Sequence, residues 1–164
     1  MLRFPLLGKK LPFHWILLIL LAAFLILLRT LVDVGGGDQD LTPATVVRVI
    51  DGDTVDVEIE GQVVRVRYYG SDAPEAGEPC ADEATSRNRQ LVESQSVLLQ
   101  TSDRDKDPGG RLLRYVFTTN GRLVDDVLIS EGLARAWRRD GTYRDQLLDR
   151  EEAAVNDAVG CLWR

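Results

Sequence analysis

Five charged side chains in this sequence have the types and spacing needed for chemistry on a phosphate group. Asp53 and Asp72 could together hold a hard divalent cation, which prefers carboxylate, carbonyl and water oxygens. Arg67 and Arg111 could each bind phosphate oxygens through the planar guanidinium fork. Glu75 then remains as a general base or as a group that orients a water molecule. The set predicts a site for a phosphate group, with a metal ion beside it.

Short strands lead into these residues. The segments 45–50, 54–60 and 63–69 are rich in β-formers; the last two alternate apolar and polar residues, and Asp51-Gly52 and Gly61-Gln62 are turn signals between the segments. They predict a three-stranded meander with Asp53 at its first turn and Arg67 near its end. Polar residues that directly follow apolar strands are held at the rim of a sheet, where a ligand can reach them.

Strands and then helices follow. The stretch 80–93 is compatible with a helix, and 96–101 and 112–118 read as two further strands. Apolar residues then recur at helical spacing from Leu123 to a stop at Gly132, and a capping-box start at Thr142 begins a last helix. Five short strands with three helices predict an α+β domain, a small closed barrel with helices packed outside.

The N-terminus has a different composition. Residues 15–28 are an unbroken apolar run, preceded by Arg3, Lys9 and Lys10. With its extension back to Leu11 and forward past Arg29 to Val32, the segment reaches the roughly 20 mostly apolar residues that span a bilayer, and its basic side is expected to stay cytoplasmic. We expect a cytoplasmic segment at 1–10, a single transmembrane signal-anchor at 11–32, a flexible tether at 33–43 and the domain at 44–164. A cleaved secretory signal is the alternative, and either one exports the domain.

Charge restricts how the domain could bind a polyanion. Residues 1–40 contain four of the 20 basic and three of the 26 acidic residues, which leaves 16 basic and 23 acidic residues, a net charge of −7, in 41–164. The overall field therefore repels nucleic acid, and binding needs a local cluster of arginines or a bound cation. The acidic run Asp103, Asp105 and Asp107 resembles a calcium loop, but Pro108 stands at its sixth position, where an EF-hand needs glycine. We interpret that run as a solvated turn.

Several of these motifs together resemble the thermonuclease (staphylococcal-nuclease-like) family. The matching pieces occur in order over about 44–163: Val-Ile-Asp-Gly-Asp-Thr-Val at 49–55, Arg-x4-Asp-Ala-Pro-Glu at 67–75, Gly-Arg-Leu-Leu-x-Tyr-Val at 110–116, Val-x2-Val-Leu-x3-Gly-Leu-Ala at 124–134, and Leu162-Trp163. Each piece alone is common, whereas the ordered set is specific. The resemblance implies a five-stranded OB-fold barrel with three helices and a calcium-dependent phosphodiesterase that acts on DNA, RNA or both.

The resemblance also implies a role for each site residue. The calcium ligands would be the carboxylates of Asp53 and Asp72 and the backbone carbonyl of Ala73, where many relatives have threonine. Arg67 and Arg111 would clamp the phosphate, and Glu75 would be the catalytic glutamate, so the three catalytic residues are Arg67, Glu75 and Arg111.

Two departures from the family pattern affect the nucleotide base and leave the phosphate chemistry intact. Before Arg111, the sequence Asp107-Pro108-Gly109-Gly110 stands where relatives commonly place an aromatic residue that stacks on the base. After Gly132, the aromatics are reduced to Trp137 and Tyr143. Trp137 is equally compatible with stacking on a base and with packing in the barrel wall.

We therefore expect a single-pass membrane protein of the cell membrane whose extracytoplasmic domain is a calcium-dependent nuclease, secreted if the N-terminal segment is cleaved. Its partners would be a nucleic acid substrate and, through the N-terminal helix, the membrane; the sequence gives no sign of an obligate protein partner. The alternative is a tethered module of the same fold that binds nucleic acid or protein without cutting it.

The two cysteines, Cys80 and Cys161, are an even pair in a domain that we expect to be exported, and such pairs usually form a disulfide. Two unrelated thiols are the alternative.

Overall fold

The computed structural model describes residues 41–164 together with Ile19 and Ala23, and Gln39–Arg164 forms one compact unit. The predicted cytoplasmic segment at 1–10 lies outside the described residues, as do the transmembrane segment at 11–32, apart from those two positions, and the tether up to residue 40. No helix within the described residues is long and apolar enough to cross a bilayer.

Five strands close into a barrel, and two shorter strands form a separate pair. In chain order the strands are β1 (Leu41–Val49), β2 (Thr54–Ile59), β3 (Gln62–Tyr68), β4 (Ser71–Asp72), β5 (Ser96–Gln100), β6 (Leu112–Thr118) and β7 (Arg135–Ala136). The barrel order is β1-β2-β3-β6-β5, and β5 pairs with β1 to close it. β3 and β6 are parallel, and the other neighbours are antiparallel. The predicted meander and five-stranded α+β barrel are confirmed, although β1 begins three residues before the predicted start of the domain.

Within residues 41–164, four helices pack around the barrel: α1 (Ala81–Val92), α2 (Val124–Ser130), α3 (Arg144–Asn156) and α4 (Gly160–Trp163). The first three were predicted; the single turn α4 is too short to leave a periodic signal. The predicted capping box at Thr142 is wrong. The N-cap of α3 is Tyr143 and not Thr142, and no side-chain capping bond is formed there. The Thr142 hydroxyl lies 3.2 Å from the Ser102 hydroxyl.

The core lies inside the barrel and beneath the helices. Alternate strand residues supply it, and this is the pattern that a strand with one buried face requires. Burying each large apolar side chain contributes roughly 1.5–3 kcal/mol. The largest fully buried side chains include Val46, Val55, Val57, Val66, Tyr68, Leu99 and Tyr115 from the strands and Leu128, Ile129 and Leu147 from the helices.

The end of α2 directs the chain back to the barrel. The Gly132 N–H bonds to the Ile129 carbonyl and the Leu133 N–H to the Leu128 carbonyl, a Schellman arrangement in which Gly132 adopts a φ of +64°. A Cβ at Gly132 would overlap the carbonyl of Val159. Glycine therefore both ends the helix and lets the C-terminal segment pack against this turn, which confirms the predicted helix end.

Cys80 and Cys161 form a disulfide with their Cα atoms 5.7 Å apart, so the predicted pairing is confirmed. The bond ties the residue before α1 to α4. It therefore fastens the C-terminus beside the loop that follows Glu75.

Candidate active site

Asp53 is buried at the rim of the barrel because the turn between β1 and β2 packs closely on the rest of the chain. A Cβ at Gly52 would lie 2.5 Å from the Cβ of Ala73, so only glycine permits this approach. The carboxylate of Asp53 accepts a 2.6 Å hydrogen bond from the Ala73 N–H. Two of the predicted calcium ligands, Asp53 and Ala73, are thereby brought into contact although they are 20 positions apart in sequence.

Arg67 lies at the centre of the predicted carboxylates. Its Nη2 is 3.0 Å from Oδ2 of Asp53 and 2.5 Å from Oδ1 of Asp72, and its Nη1 is 3.8 Å from Oε1 of Glu75. The arginine side chain is only 13% exposed. Three predicted carboxylates therefore surround the guanidinium of a fourth predicted residue, Arg67.

Burial raises the pKa of Asp53 to about 7, against the opposing effects of the Arg67 charge and the Ala73 N–H bond. A nearby positive charge favours the ionised form of such a buried carboxylate. Arg67 provides one such charge, and a bound cation would provide a second.

The loop that carries Asp72 is anchored from below by Asp125 of α2. Oδ1 of Asp125 accepts hydrogen bonds from the Gly70 N–H (2.9 Å) and the Ser71 hydroxyl (2.8 Å). The pairing of β4 with β7 then aligns Asp72 with Arg135. The sequence did not indicate Asp125 as a site residue. It lies within a helix, and no local pattern predicts its contact with Gly70, 55 positions away.

Glu75 begins an exposed turn. Its side chain is 70% exposed, while its backbone N–H bonds to the carboxylate of Glu78 (2.9 Å) and its carbonyl accepts the Glu78 N–H (2.9 Å). The backbone is thus held in place and the carboxylate is left accessible to solvent. That is suitable for a group that has to act on a water molecule.

Arg111 is held by Asp107 across the turn that replaces the family's aromatic residue. The carboxylate of Asp107 accepts hydrogen bonds from the Arg111 backbone N–H (2.9 Å) and from Nε (2.6 Å). Although burial acts in the opposite direction, these bonds lower the pKa of Asp107 below its usual value. The interpretation of residues 103–107 as a solvated turn is therefore wrong for Asp107, whose side chain is only 11% exposed.

A cleft of about 330 Å³ brings the three predicted catalytic residues together. Arg67, Glu75 and Arg111 all line it, together with Pro108. Asp53 and Asp72 do not line the cleft. They are connected to it because both contact Arg67, which does line it. The remaining lining residues are Tyr68, Tyr69, Ser71, Arg104, Asp107, Leu113 and Trp137.

Trp137 both lines this cleft and packs against the core, so the two alternatives for it are not exclusive. The guanidinium carbons of Arg104 and Arg139 lie 5.7 and 5.4 Å from the centre of its ring, within cation–π range. Its indole N–H donates to Asp140 (2.8 Å). Our sequence analysis named Trp137 but not Arg104 or Asp140, because nothing local predicts their convergence.

The predicted ligands fit a calcium ion in chemistry and in charge. Asp53 and Asp72 both contact Nη2 of Arg67, and with Glu75 the site has three carboxylates around one guanidinium. Among the described residues, no group of three or more His, Cys, Asp or Glu side chains could hold a metal by itself. The remaining oxygens would therefore come from the Ala73 carbonyl and water, which calcium accepts readily.

A closed five-stranded barrel with arginines and carboxylates at one rim defines an OB-fold domain with a candidate site for phosphate. The family whose description is "Staphylococcal nuclease homologue" matches residues 65–164. The chain belongs to this family.

Individual relatives carry nuclease names. The chain is 38% identical to an endonuclease of Bacillus subtilis, YncB, and 34% identical to a prophage-derived endonuclease of the same organism, YokF; each match covers 76% of this chain. It spans 63% and 45% of the length of those two proteins. It is also 34% identical to the micrococcal nuclease of Shigella flexneri over 72% of this chain and 71% of that protein.

Proposed function

We propose that this protein is a calcium-dependent nuclease that hydrolyses phosphodiester bonds of DNA, RNA or both. The observation that carries the proposal is the shared cleft of Arg67, Glu75 and Arg111, with two carboxylates joined to it through Arg67. The nuclease names of the relatives support the reaction class.

In this mechanism the two arginines bind the phosphate from different sides. They stabilise the negative charge that develops on its oxygens, and such preorganised charge is usually the largest part of catalysis in phosphoryl transfer. Glu75, which is exposed at the cleft, accepts a proton from the attacking water or orients it. Arg67 would exchange some of its carboxylate contacts for phosphate contacts.

Calcium would be held by Asp53, Asp72 and the Ala73 carbonyl. When bound, it would neutralise charge on the phosphoryl oxygens. The excess of carboxylates over guanidinium groups around Arg67 supports a cation there.

The test is a nuclease assay on the full-length chain purified in detergent, with single-stranded DNA, double-stranded DNA and RNA as substrates. We expect acid-soluble nucleotides in the presence of calcium and none after chelation, with activity restored by added calcium. Binding without release of nucleotides under all these conditions would favour the non-catalytic module instead.

We also propose that the domain is extracytoplasmic and tethered by the N-terminal segment. The disulfide between Cys80 and Cys161 supports this location, because such bonds persist in oxidising compartments. The full-length chain should fractionate with membranes, and protease added to spheroplasts should digest the domain. A domain that stays protected while the N-terminus is exposed would reverse this orientation.

A further inference from the structure

A second groove lies on the other side of the turn that carries Arg111. It has a volume of about 740 Å³ and is lined by strand residues 56 and 63–65 on one side and by residues 106 and 109–112 on the other. Because Arg111 lines both this groove and the cleft with Glu75, the two are adjacent across one side chain.

Strand β3 connects the two sites. Arg65 and Arg67 are two residues apart and therefore lie on the same face of the strand, about 6.6 Å apart along it. Arg67 faces the cleft and Arg65 lines the groove. Arg111 immediately precedes Leu112, whose register partner is Val66 between the two arginines. A nucleic acid strand whose phosphate is bound by Arg67 and Arg111 would therefore have Arg65 beside its adjacent part.

The groove is positively charged in a domain that is negative overall. Three cationic side chains line it, and its lining carboxylate, Asp56, is already engaged by two arginines: Arg65 through two bonds and Arg48 through two more. The hydrogen bond from Arg65 is the main reason that the pKa of Asp56 is lowered. Arg65 is consequently fixed in position, and within the described residues its Nη1 donates to no acceptor.

Lys106 adds a positive charge to the groove. It is exposed, and no carboxylate of the described residues forms an ion pair with it. Val63, which is 59% exposed, adds apolar surface to the same groove. Fixed cations beside an apolar surface are suited to the phosphates and sugars of a nucleic acid strand.

We propose that this groove binds the backbone of the substrate strand beyond the scissile phosphate, through Arg65 and Lys106. The proposal rests on the nuclease function. It assigns a binding site to the part of the substrate that extends beyond the cleft. The described residues that line the groove include no aromatic side chain, so base stacking contributes little. Binding there should be independent of sequence and sensitive to salt.

The experiment compares a single-stranded 12-nucleotide substrate with a dinucleoside monophosphate, which has one phosphate and leaves the groove empty. The variants are Lys106→Gln and Arg65→Gln in the full-length chain. The matched control is Arg48→Gln, because Arg48 pairs with the same Asp56 but does not line the groove. We expect the ratio of kcat/KM for the long over the short substrate to fall about ten-fold in both test variants and to stay at the wild-type value in the control.

A second readout is independent of cleavage. In a Glu75→Gln background, fluorescence anisotropy with a labelled 12-nucleotide strand should show weaker binding in the Lys106→Gln variant. The slope of log affinity against log salt should be less steep by about 0.7, as expected for one lost phosphate contact on a single strand.

The outcomes separate the two proposals. If the wild type cleaves both substrates and the test variants keep its ratio, the groove proposal is overturned and the nuclease function stands. If Arg48→Gln lowers the ratio equally, general charge explains the effect and the groove is again overturned. If the wild type cleaves neither substrate, the nuclease function fails, and loss of affinity in the anisotropy experiment would still support the groove as a nucleic-acid site.

Discussion

The carboxylate of Asp107 holds Arg111 at two points, its backbone N–H and its Nε, 2.9 and 2.6 Å away. Both Nη atoms of Arg111 are left without a hydrogen bond among the described residues, and they are the atoms that a phosphate needs. Asp107 therefore positions the arginine without occupying its fork.

From this pairing we expect Asp107→Asn to lower kcat by about ten-fold, because the charge-assisted bond to Nε is lost while an oxygen remains for the backbone N–H. Arg111→Ala should lower kcat by roughly 10²-fold or more, the scale of a lost transition-state contact. Steady-state kinetics of the double variant should match Arg111→Ala alone. Additive losses would mean that Asp107 acts by another route.

Glu75→Gln should reduce the rate by at least about 10²-fold while nucleotide and calcium binding persist, because the general base is removed and its shape is kept. Single-turnover cleavage and calorimetric titration with calcium measure the two properties. Glu78→Gln is the control, since Glu78 supports the same turn without lining the cleft. Equal losses in both variants would assign the effect to the turn instead of the carboxylate.

Asp72→Asn should weaken calcium binding by about ten-fold, because one anionic ligand becomes neutral. Asp72 is chosen because its side chain is exposed, so its replacement should disturb the fold less than replacement of the buried Asp53. Calorimetric titration of chelator-treated protein gives the dissociation constant directly. If Asp72→Asn and the nearby Glu78→Gln change calcium affinity equally, general charge and not ligation is responsible.

Burial raises the pKa of Asp125 to about 6 from 3.8, against its hydrogen bonds from Ser71 and Gly70. The folded state therefore binds more protons than the unfolded state between about pH 4 and 6, and the contribution of this group to stability falls as the pH rises through that window. Asp125→Asn should remove this loss, roughly 1–3 kcal/mol, and keep an oxygen for the Gly70 N–H.

Urea unfolding at pH 4, 5, 6 and 7 measures that difference. The free energy of unfolding of Asp125→Asn, relative to the wild type, should increase with pH, whereas the exposed control Asp145→Asn should show no such trend. A constant difference from pH 4 to 7 would contradict the assignment.

The disulfide closes a loop with a sequence separation of 81. In the chain-entropy model such a bond contributes roughly 4–5 kcal/mol by restricting the unfolded chain. Reductant should lower the free energy of unfolding of the wild type by about this amount. The Cys80→Ser/Cys161→Ser double variant should start at the lower value and be insensitive to reductant. Equal stability with and without reductant in the wild type would refute the contribution.

The sequence by itself determined the strands and the main helices, and it supplied the candidate site residues. Alternation in β2 and β3, the turn at Asp51-Gly52 and the stop at Gly132 are local properties, since each reflects backbone preference and burial over a few residues. The resemblance then placed Arg67, Glu75 and Arg111 in one site, and the disulfide followed from an even pair of cysteines.

Only the tertiary structure decided which residues from distant parts of the chain come together. Asp125 contacts Gly70 across 55 positions of the chain, Arg104 reaches Trp137, and Arg65 and Lys106 border one groove. These are contacts between side chains on different elements, and no spacing rule along the chain encodes them. They depend on the closed barrel, because the parallel pairing of β3 with β6 brings Arg67 and Arg111 to one rim, and on the close approach at Gly52, which brings Asp53 to Ala73.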